Sequence, residues 1–311
     1  MRSKLGILVG LVSFLVLMIG MVASRSEEPI PETAVTQQEA EFKVRSAIIP
    51  DQLTFAGEPV PLDDWNVRER LERELLINTY WQSNTLLMIK RTRRYFDRIE
   101  KVLNQQNVPT DFKYLALAES GLQNTQSPAG AEGMWQFIES TGESYGLKIT
   151  SEIDQRYDLE KATAAAAAYL TKCKDDLGNW TNAAAAFNRG RNGLRRDINK
   201  QKDSSFYRLY LNTETSRYVF RILALKLICE QPATYGFDIT DADYYLPVPS
   251  YTMKVDTTIH SLVDFAQQHG TTYRDVKLLN PWLRDDHLTL VRDTMYIRLP
   301  ELLAEGVDEQ H

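Results

Sequence analysis

Cysteine, histidine and excess positive charge are all scarce in this sequence, and each scarcity removes a class of function. Two cysteines in 311 residues, Cys173 and Cys229, are too few for a disulfide framework. Both fall in apolar helical patterns and read as buried thiols, although an exported chain leaves a bridge open. The four histidines, His260, His269, His287 and His311, show no metal-ligand spacing. No Gly-rich phosphate loop is present, and no metal or cofactor is expected. A net charge of −6 and a pI of about 5.4 argue against a nucleic-acid binder. Apolar content of 43% and charged content of 25% are those of an ordinary globular chain, and the length permits two or three domains.

Charge is missing altogether from Leu5–Ser24, which follows Arg2 and Lys4. A basic flank before an apolar run is a targeting pattern, and this run is just long enough to span a bilayer. Val22-Ala23-Ser24 offers a cleavage site, so residues 1–24 read as a signal peptide or an uncleaved anchor, with the rest exported. Residues 25–60 are polar at first and contain proline, which predicts a linker.

The organising stretch is Val108–Leu147. Pro109-Thr110-Asp111 predicts a helix start, with Thr110 or Asp111 as cap. Phe112, Leu115 and Glu119 recur at helical spacing, and Gly121 stops the helix. A carboxylate against apolar packing is costly to ionise, so the pKa of Glu119 is expected to rise toward that of a general acid. A loop with Pro128, Gly130 and Gly133 follows, and Met134–Tyr145 reads as a second amphipathic segment. Glu139 and Glu143 are expected to face solvent, whereas Glu132 in the loop is the candidate second carboxylate. Two helices are expected before this stretch, on Val67, Leu71, Leu75 and Ile77, then on Leu86 through Leu103. The second carries a basic cluster of Lys90, Arg91, Arg93, Arg94 and Arg98, which reads as a solvated face. After it come helices on Ala162–Leu170, from Thr181, and from Glu214 to Glu230. Thr215 is the expected cap of the last, with Arg217 and Arg221 exposed.

Ala118-Glu119-Ser120-Gly121, Ser127 through Phe137, Thr141-Gly142 and Tyr145-Gly146-Leu147 together resemble the catalytic core of lytic transglycosylases, nearest the membrane-bound murein type, whose fold is similar to goose-type lysozyme. The resemblance extends to Asp154–Asp158, to Ala186-Phe187-Asn188-Arg189-Gly190, where Phe187 replaces the usual tyrosine, and to Glu214-Thr215-Ser216-Arg217-Tyr218. It implies Glu119 as sole catalytic acid/base. Ser120, Gln136, Asn188 and Tyr218 would hold the substrate, with the Tyr218 ring over the acid and Glu214 bracing its loop. The implied partner is the peptidoglycan glycan strand, cut between N-acetylmuramic acid and N-acetylglucosamine with a 1,6-anhydro end. The basic cluster would then have acidic stem peptides or membrane phosphate as a functional alternative. A hydrolytic muramidase and a non-catalytic wall-binding protein are the competing readings.

Beyond Phe237 the pattern changes. Pro247 and Pro249 predict a linker. Tyr251–Val255, Thr258–His269, Tyr273–Asn280 and Asp293–Pro300 give strand, helix, helix, strand. That order resembles a LysM module, which implies glycan binding, here with Val255-Asp256-Thr257-Thr258 in place of the usual Gly-Asp-Thr-Leu opening. The expected fold class is therefore mainly α: a lysozyme-like helical domain over 61–240, a small βααβ LysM-like domain over 243–300, and a tail from 301 to 311.

Overall fold

The computed structural model describes residues 45–291 and 293–301. The apolar run at 5–24 and most of the tail lie outside them. Among the described residues no helix is long and apolar enough to cross a membrane. Met1–Arg45 and Ser46–His311 form separate units, and every helix and strand among the described residues belongs to the second.

The folded part begins earlier than the expected linker boundary. Thr54–Phe55 (β1) pairs antiparallel with Glu58–Pro59 (β2). Ala56 and Gly57 both have positive φ, the backbone a two-residue hairpin requires. Leu53, Phe55, Val60 and Leu62 of this segment are buried in the main core, so the linker reading of 25–60 is corrected from Leu53 onward. Burying a phenylalanine such as Phe55 is worth roughly 1.5–3 kcal/mol, enough to fix so short a hairpin. The hairpin also works electrostatically. The Glu58 carboxylate accepts from the amides of Trp180 (2.6 Å) and Thr181 (2.9 Å). It thereby places a negative charge at a helix N-terminus, where the peptide dipoles favour it.

Eight helices follow in the larger part: α1 (Trp65–Tyr80), α2 (Gln82–Gln105), α3 (Lys113–Ser120), α4 (Glu139–Ser144), α5 (Leu159–Leu177), α6 (Trp180–Arg189), α7 (Arg191–Gln201) and α8 (Thr213–Glu230). Helix α8 is central: α1, α3 and α6 all pack on it. The alanines of α5 and α6 let those two helices approach closely, and Ala165, Ala166, Ala183, Ala184 and Ala185 are buried. In α1 Val67, Leu71 and Leu75 point inward, but Ile77 is 38% exposed. The start of α3 differs from expectation. Thr110–Phe112 is a 3₁₀ turn, and no side chain caps the helix. Asp111 instead accepts from Ala56 N (2.8 Å) and Lys226 Nζ (2.7 Å), tying the hairpin and α8 to this turn. The last helix is capped by Asn212 rather than Thr215. The expected amphipathic segment 134–145 is helical only in α4, because Met134, Trp135 and Phe137 enter the core from an irregular loop.

The basic cluster on α2 is a clamp rather than a solvated face. Arg93 pairs with Asp241 (3.4 Å), and Arg94 Nε donates to the Leu246 carbonyl (2.9 Å). Lys90 lies 3.9 Å from Asp243. The connecting segment is thus laid along α2.

The smaller part is β3 (Ser250–Val255), α9 (Leu262–Gln268), α10 (Tyr273–Leu279) and β4 (Met295–Pro300). β3 and β4 pair antiparallel across six residues, from Ser250 opposite Pro300 to Val255 opposite Met295. Its core is distinct, but Ile153 and Tyr157 of the larger part belong to it. Backbone pairing stitches the seam: Asp154 N donates to Trp282 O (2.9 Å) and Arg284 N to Glu152 O (2.8 Å). Because Ile153 is 2% exposed, Ile153→Ala should cost roughly 2–4 kcal/mol, the usual range for a buried aliphatic truncation. Chemical denaturation of the full chain tests this; a change within about 0.5 kcal/mol, as at surface sites, would mean the seam contributes little.

Candidate functional site

Glu119 sits on the last turn of α3. Gly121 then adopts the left-handed conformation (φ 61°), and its amide closes the helix on Leu117 O. The carboxyl meets α8 across the cleft: the Tyr218 hydroxyl donates a short hydrogen bond to Glu119 Oε1. The two residues are 99 positions apart in sequence. Glu119 is only partly covered as a residue, yet its carboxyl is well shielded from solvent. Desolvation is the main reason its pKa is pushed up to about 7. The Tyr218 hydrogen bond and the Arg221 charge pull it back, while Glu214 adds to the rise. The Tyr218 hydroxyl is itself raised well above the ordinary tyrosine range, by burial and by Glu119. It therefore stays a donor throughout the working pH range.

Arg221, expected on an exposed face, is only partly exposed, and its charge bears on both Glu119 and Tyr218. The signal for this lies in the sequence, since positions 218 and 221 share a face of one helix.

The other candidate residues divide into two groups. Asn188, at the end of α6, donates from Nδ2 to Glu214 Oε1 (2.9 Å) and accepts from Thr215 Oγ1 (2.8 Å). It joins the start of α8 to α6 beside the Glu119–Tyr218 pair. Glu214 is thus engaged in holding this loop. Arg217, one residue before Tyr218, is not free on the surface but reaches buried Glu74 (2.6 Å). Ser120 and Gln136 serve the loop after α3. Ser120 Oγ donates to Met134 O (2.9 Å), and Gln136 Nε2 donates to Gly133 O (2.8 Å) and Thr125 O (2.9 Å). Gln136 holds positive φ (51°) within this turn. These contacts fix loop shape; neither residue touches Glu119 through a hydrogen bond.

A buried guanidinium organises the loop. Arg156 donates from Nη2 to Asp154 Oδ2 (2.6 Å) and from Nη1 to the carbonyls of Gly130 (3.3 Å) and Phe137 (3.4 Å). Glu132 Oε1 lies 3.3 Å from the same Nη2. Glu132 also accepts from Gln126 Nε2 (3.0 Å). The candidate second carboxylate is therefore held in an ion pair. Glu139 and Glu143 face solvent as expected. Gly133 passes so close to Arg156 that a β-carbon would lie 1.9 Å from its carbonyl oxygen. Under the loop, Trp135 Nε1 donates to Thr163 Oγ1 (2.9 Å), and Phe187 packs against Trp135, Phe137 and Tyr169 with ring centroids 5.5–6.1 Å apart. Phe187 thus keeps a packing role without a phenol.

Cys173 and Cys229 are free thiols, both with pKa raised by burial. Asp285, Asp286 and His287 bring their ligand atoms within 4.8 Å of one another on the smaller part, far in sequence from this site.

Residues 98–209 match the transglycosylase SLT domain family, and residues 251–302 match the soluble lytic transglycosylase C-terminal LysM-like domain. The chain thus carries an SLT domain followed by a LysM-like domain. It is 27% identical over 269 residues to "Membrane-bound lytic murein transglycosylase D" of two Escherichia coli strains. The alignment covers 85% of this chain and 57% of each relative, so the chain spans little more than half their length.

The raised pKa of Glu119 has a stability consequence of definite sign. A folded value of about 7 above an ordinary value of 4.5 means that the folded state holds its proton more tightly. Stability from this group is full below about pH 4.5 and falls as pH rises through 7, by roughly 3 kcal/mol in total. Glu119→Gln, which cannot ionise, should therefore gain in melting temperature relative to the parent at pH 8 but not at pH 4.5. Parallel melting differences at the two pH values would contradict a desolvated carboxyl.

Proposed function

We propose that this chain, with its SLT and LysM-like domains, is a peptidoglycan lytic transglycosylase working with Glu119 as its single acid/base. The observation that carries this reading is the desolvated Glu119 carboxyl bound by the Tyr218 hydroxyl. The catalytic part then runs from the hairpin segment at Leu53 to about residue 240, and the LysM-like part over 243–300.

Protonated near neutral pH, Glu119 gives its proton to the glycosidic oxygen between N-acetylmuramic acid and N-acetylglucosamine as the bond breaks. Positive charge then develops at the muramic sugar. Glu119, now a carboxylate, is stabilised by the Tyr218 hydroxyl and by Arg221. It takes the proton of the muramic 6-hydroxyl, whose oxygen closes the 1,6-anhydro ring. The proton returns to Glu119, and no water is consumed. Hydrolysis by inversion or through a glycosyl-enzyme would call on a second carboxylate. Of the two candidates among the described residues, Glu132 is paired with Arg156 and Glu214 accepts from Asn188 in holding the start of α8. That favours the transglycosylase over the hydrolytic muramidase. The non-catalytic reading leaves the tuned carboxyl without a purpose. Asn188 holds the substrate from the α6 side of the cleft, while Ser120 and Gln136 shape the loop that lines it. A role in remodelling the cell wall, in the periplasm or envelope, follows from the substrate. The N-terminal apolar run would supply export or membrane attachment.

Mass spectrometry of digested sacculi tests the chemistry. Anhydro-muropeptides are expected; reducible ends would mean a hydrolase, and no release a binder. Glu119→Gln should fold and lose at least about 10²–10⁴-fold in rate, the usual contribution of an acid/base group.

Tyr218→Phe should lower turnover by about 10- to 100-fold, the worth of a hydrogen bond to a charged group. Because that bond holds the Glu119 pKa down, its removal should also shift the alkaline limb of the rate profile upward. An unchanged limb with an unchanged rate would remove Tyr218 from the site.

A further inference from the structure

The two domains enclose a cavity that the catalytic site does not use. Its volume is about 460 Å³. Helix α2, the start of α5, the linker at Pro247–Val248 and the LysM-like domain all contribute walls. Glu119 and Tyr218 are not among its lining residues.

The lining is positive in a chain of net charge −6. Four cationic side chains face two carboxylates. Glu160 is shared by Arg98 (Nε to Oε1, 2.8 Å) and Arg298 (Nη2 to Oε1, 3.0 Å). Two guanidiniums against one carboxylate leave a positive charge unneutralised, and its spare N–H groups suit a second carboxylate. Arg94 adds another, its Nε on the Leu246 carbonyl and its guanidinium over the Tyr245 ring, with Nη1 and Nη2 left to donate. Trp282 is 5% exposed and lines the same wall. Among the described residues its indole N–H has no protein acceptor and is not closed off from solvent, so it remains available to donate. Tyr296, 61% exposed, supplies a flat face at the mouth.

We propose that this pocket binds a peptide carboxylate, namely the acidic stem peptide attached to the muramic sugar of the glycan strand. Arg98, Arg298 and Arg94 receive the carboxylates, Trp282 donates to a peptide carbonyl, and Tyr296 covers the backbone. The choice of stem peptide rests on the peptidoglycan reading; the carboxylate preference rests on the pocket alone. A neutral saccharide would leave the spare arginine charge unanswered. The pocket reaches Met134, whose carbonyl holds Ser120, so the site lies behind the catalytic loop. A strand bound there is gripped by its peptide while its sugars are free to enter the cleft.

The test uses the full chain and a sugar-free probe, the tripeptide L-alanyl-γ-D-glutamyl-meso-diaminopimelate, which the enzyme cannot cut. Calorimetry should show saturable binding that weakens with salt. Arg298→Gln should weaken it about tenfold or more, as expected for loss of a charge-assisted contact. Should that variant fold poorly, Arg94→Gln on the surface of α2 should give a loss in the same direction. The Trp282 indole proton, assigned in NMR spectra by Trp282→Phe, should shift on titration. No binding, equal binding by both arginine variants, equal binding of the fully amidated tripeptide, or displacement by a chitin oligosaccharide would each overturn the proposal. Sacculus digestion by the same preparation reads the catalytic proposal separately. Cutting without peptide binding sinks only the pocket, and peptide binding without cutting sinks only the catalysis.

Discussion

The Arg156 guanidinium is the contact on which the rest of the site depends. Burying a charge is costly unless it is paired and hydrogen-bonded. Here the Asp154 and Glu132 carboxylates and the Gly130 and Phe137 carbonyls supply the partners. Those partners are the catalytic loop and its support. Removing the guanidinium would leave two carboxylates facing each other in a poorly solvated place, and the loop would have to open. The loop in turn fixes Ser120 through Met134 O, and so the end of α3 where Glu119 stands. The backbone carbonyl of Arg156 also sets how closely Gly133 approaches. One residue thus converts a glycine-rich irregular loop into a rigid wall.

Glu119 depends on a second kind of constraint, a balance. Desolvation raises its pKa, and Tyr218 and Arg221 lower it, with the net result near 7. Either force alone would serve one half of the proposed reaction and hinder the other. Full desolvation would make an acid too weak to donate; full pairing would keep the group ionised from the start. The balance is struck between α3 and α8, which pack on each other, with Asn188 tying the start of α8 to α6.

Much of this architecture is legible in the sequence, and the gaps have physical causes. Helices carried by periodic apolar residues are visible, as are the carboxylate at the end of α3, the βααβ order and the partnership of Glu119 with Tyr218, the last through family resemblance. Contacts that depend on tertiary placement are not. The hairpin at Thr54–Pro59 is too short for a period, and only its docking in the core stabilises it. Asp111 reads as a helix cap because caps are local, whereas its partners Ala56 and Lys226 come from distant segments. The basic face of α2 reads as solvated because its partners lie about 150 residues further along. Arg221 reads as exposed when helix-end composition alone is weighed, although its spacing from Tyr218 points into the site.

The backbone pairing of Ile153 with Leu283 has a mechanical meaning. A domain joined only by a linker explores many orientations, and its grip on a polymer says nothing about where the polymer is cut. Here the LysM-like domain is hydrogen-bonded to the segment that carries Asp154 and Arg156, so it cannot rotate without disturbing the catalytic loop. The two domains act as a gauge of fixed length. Under the proposed function, a strand held against the small domain would lie at a fixed distance from Glu119, and the point of attachment would set where it is cut.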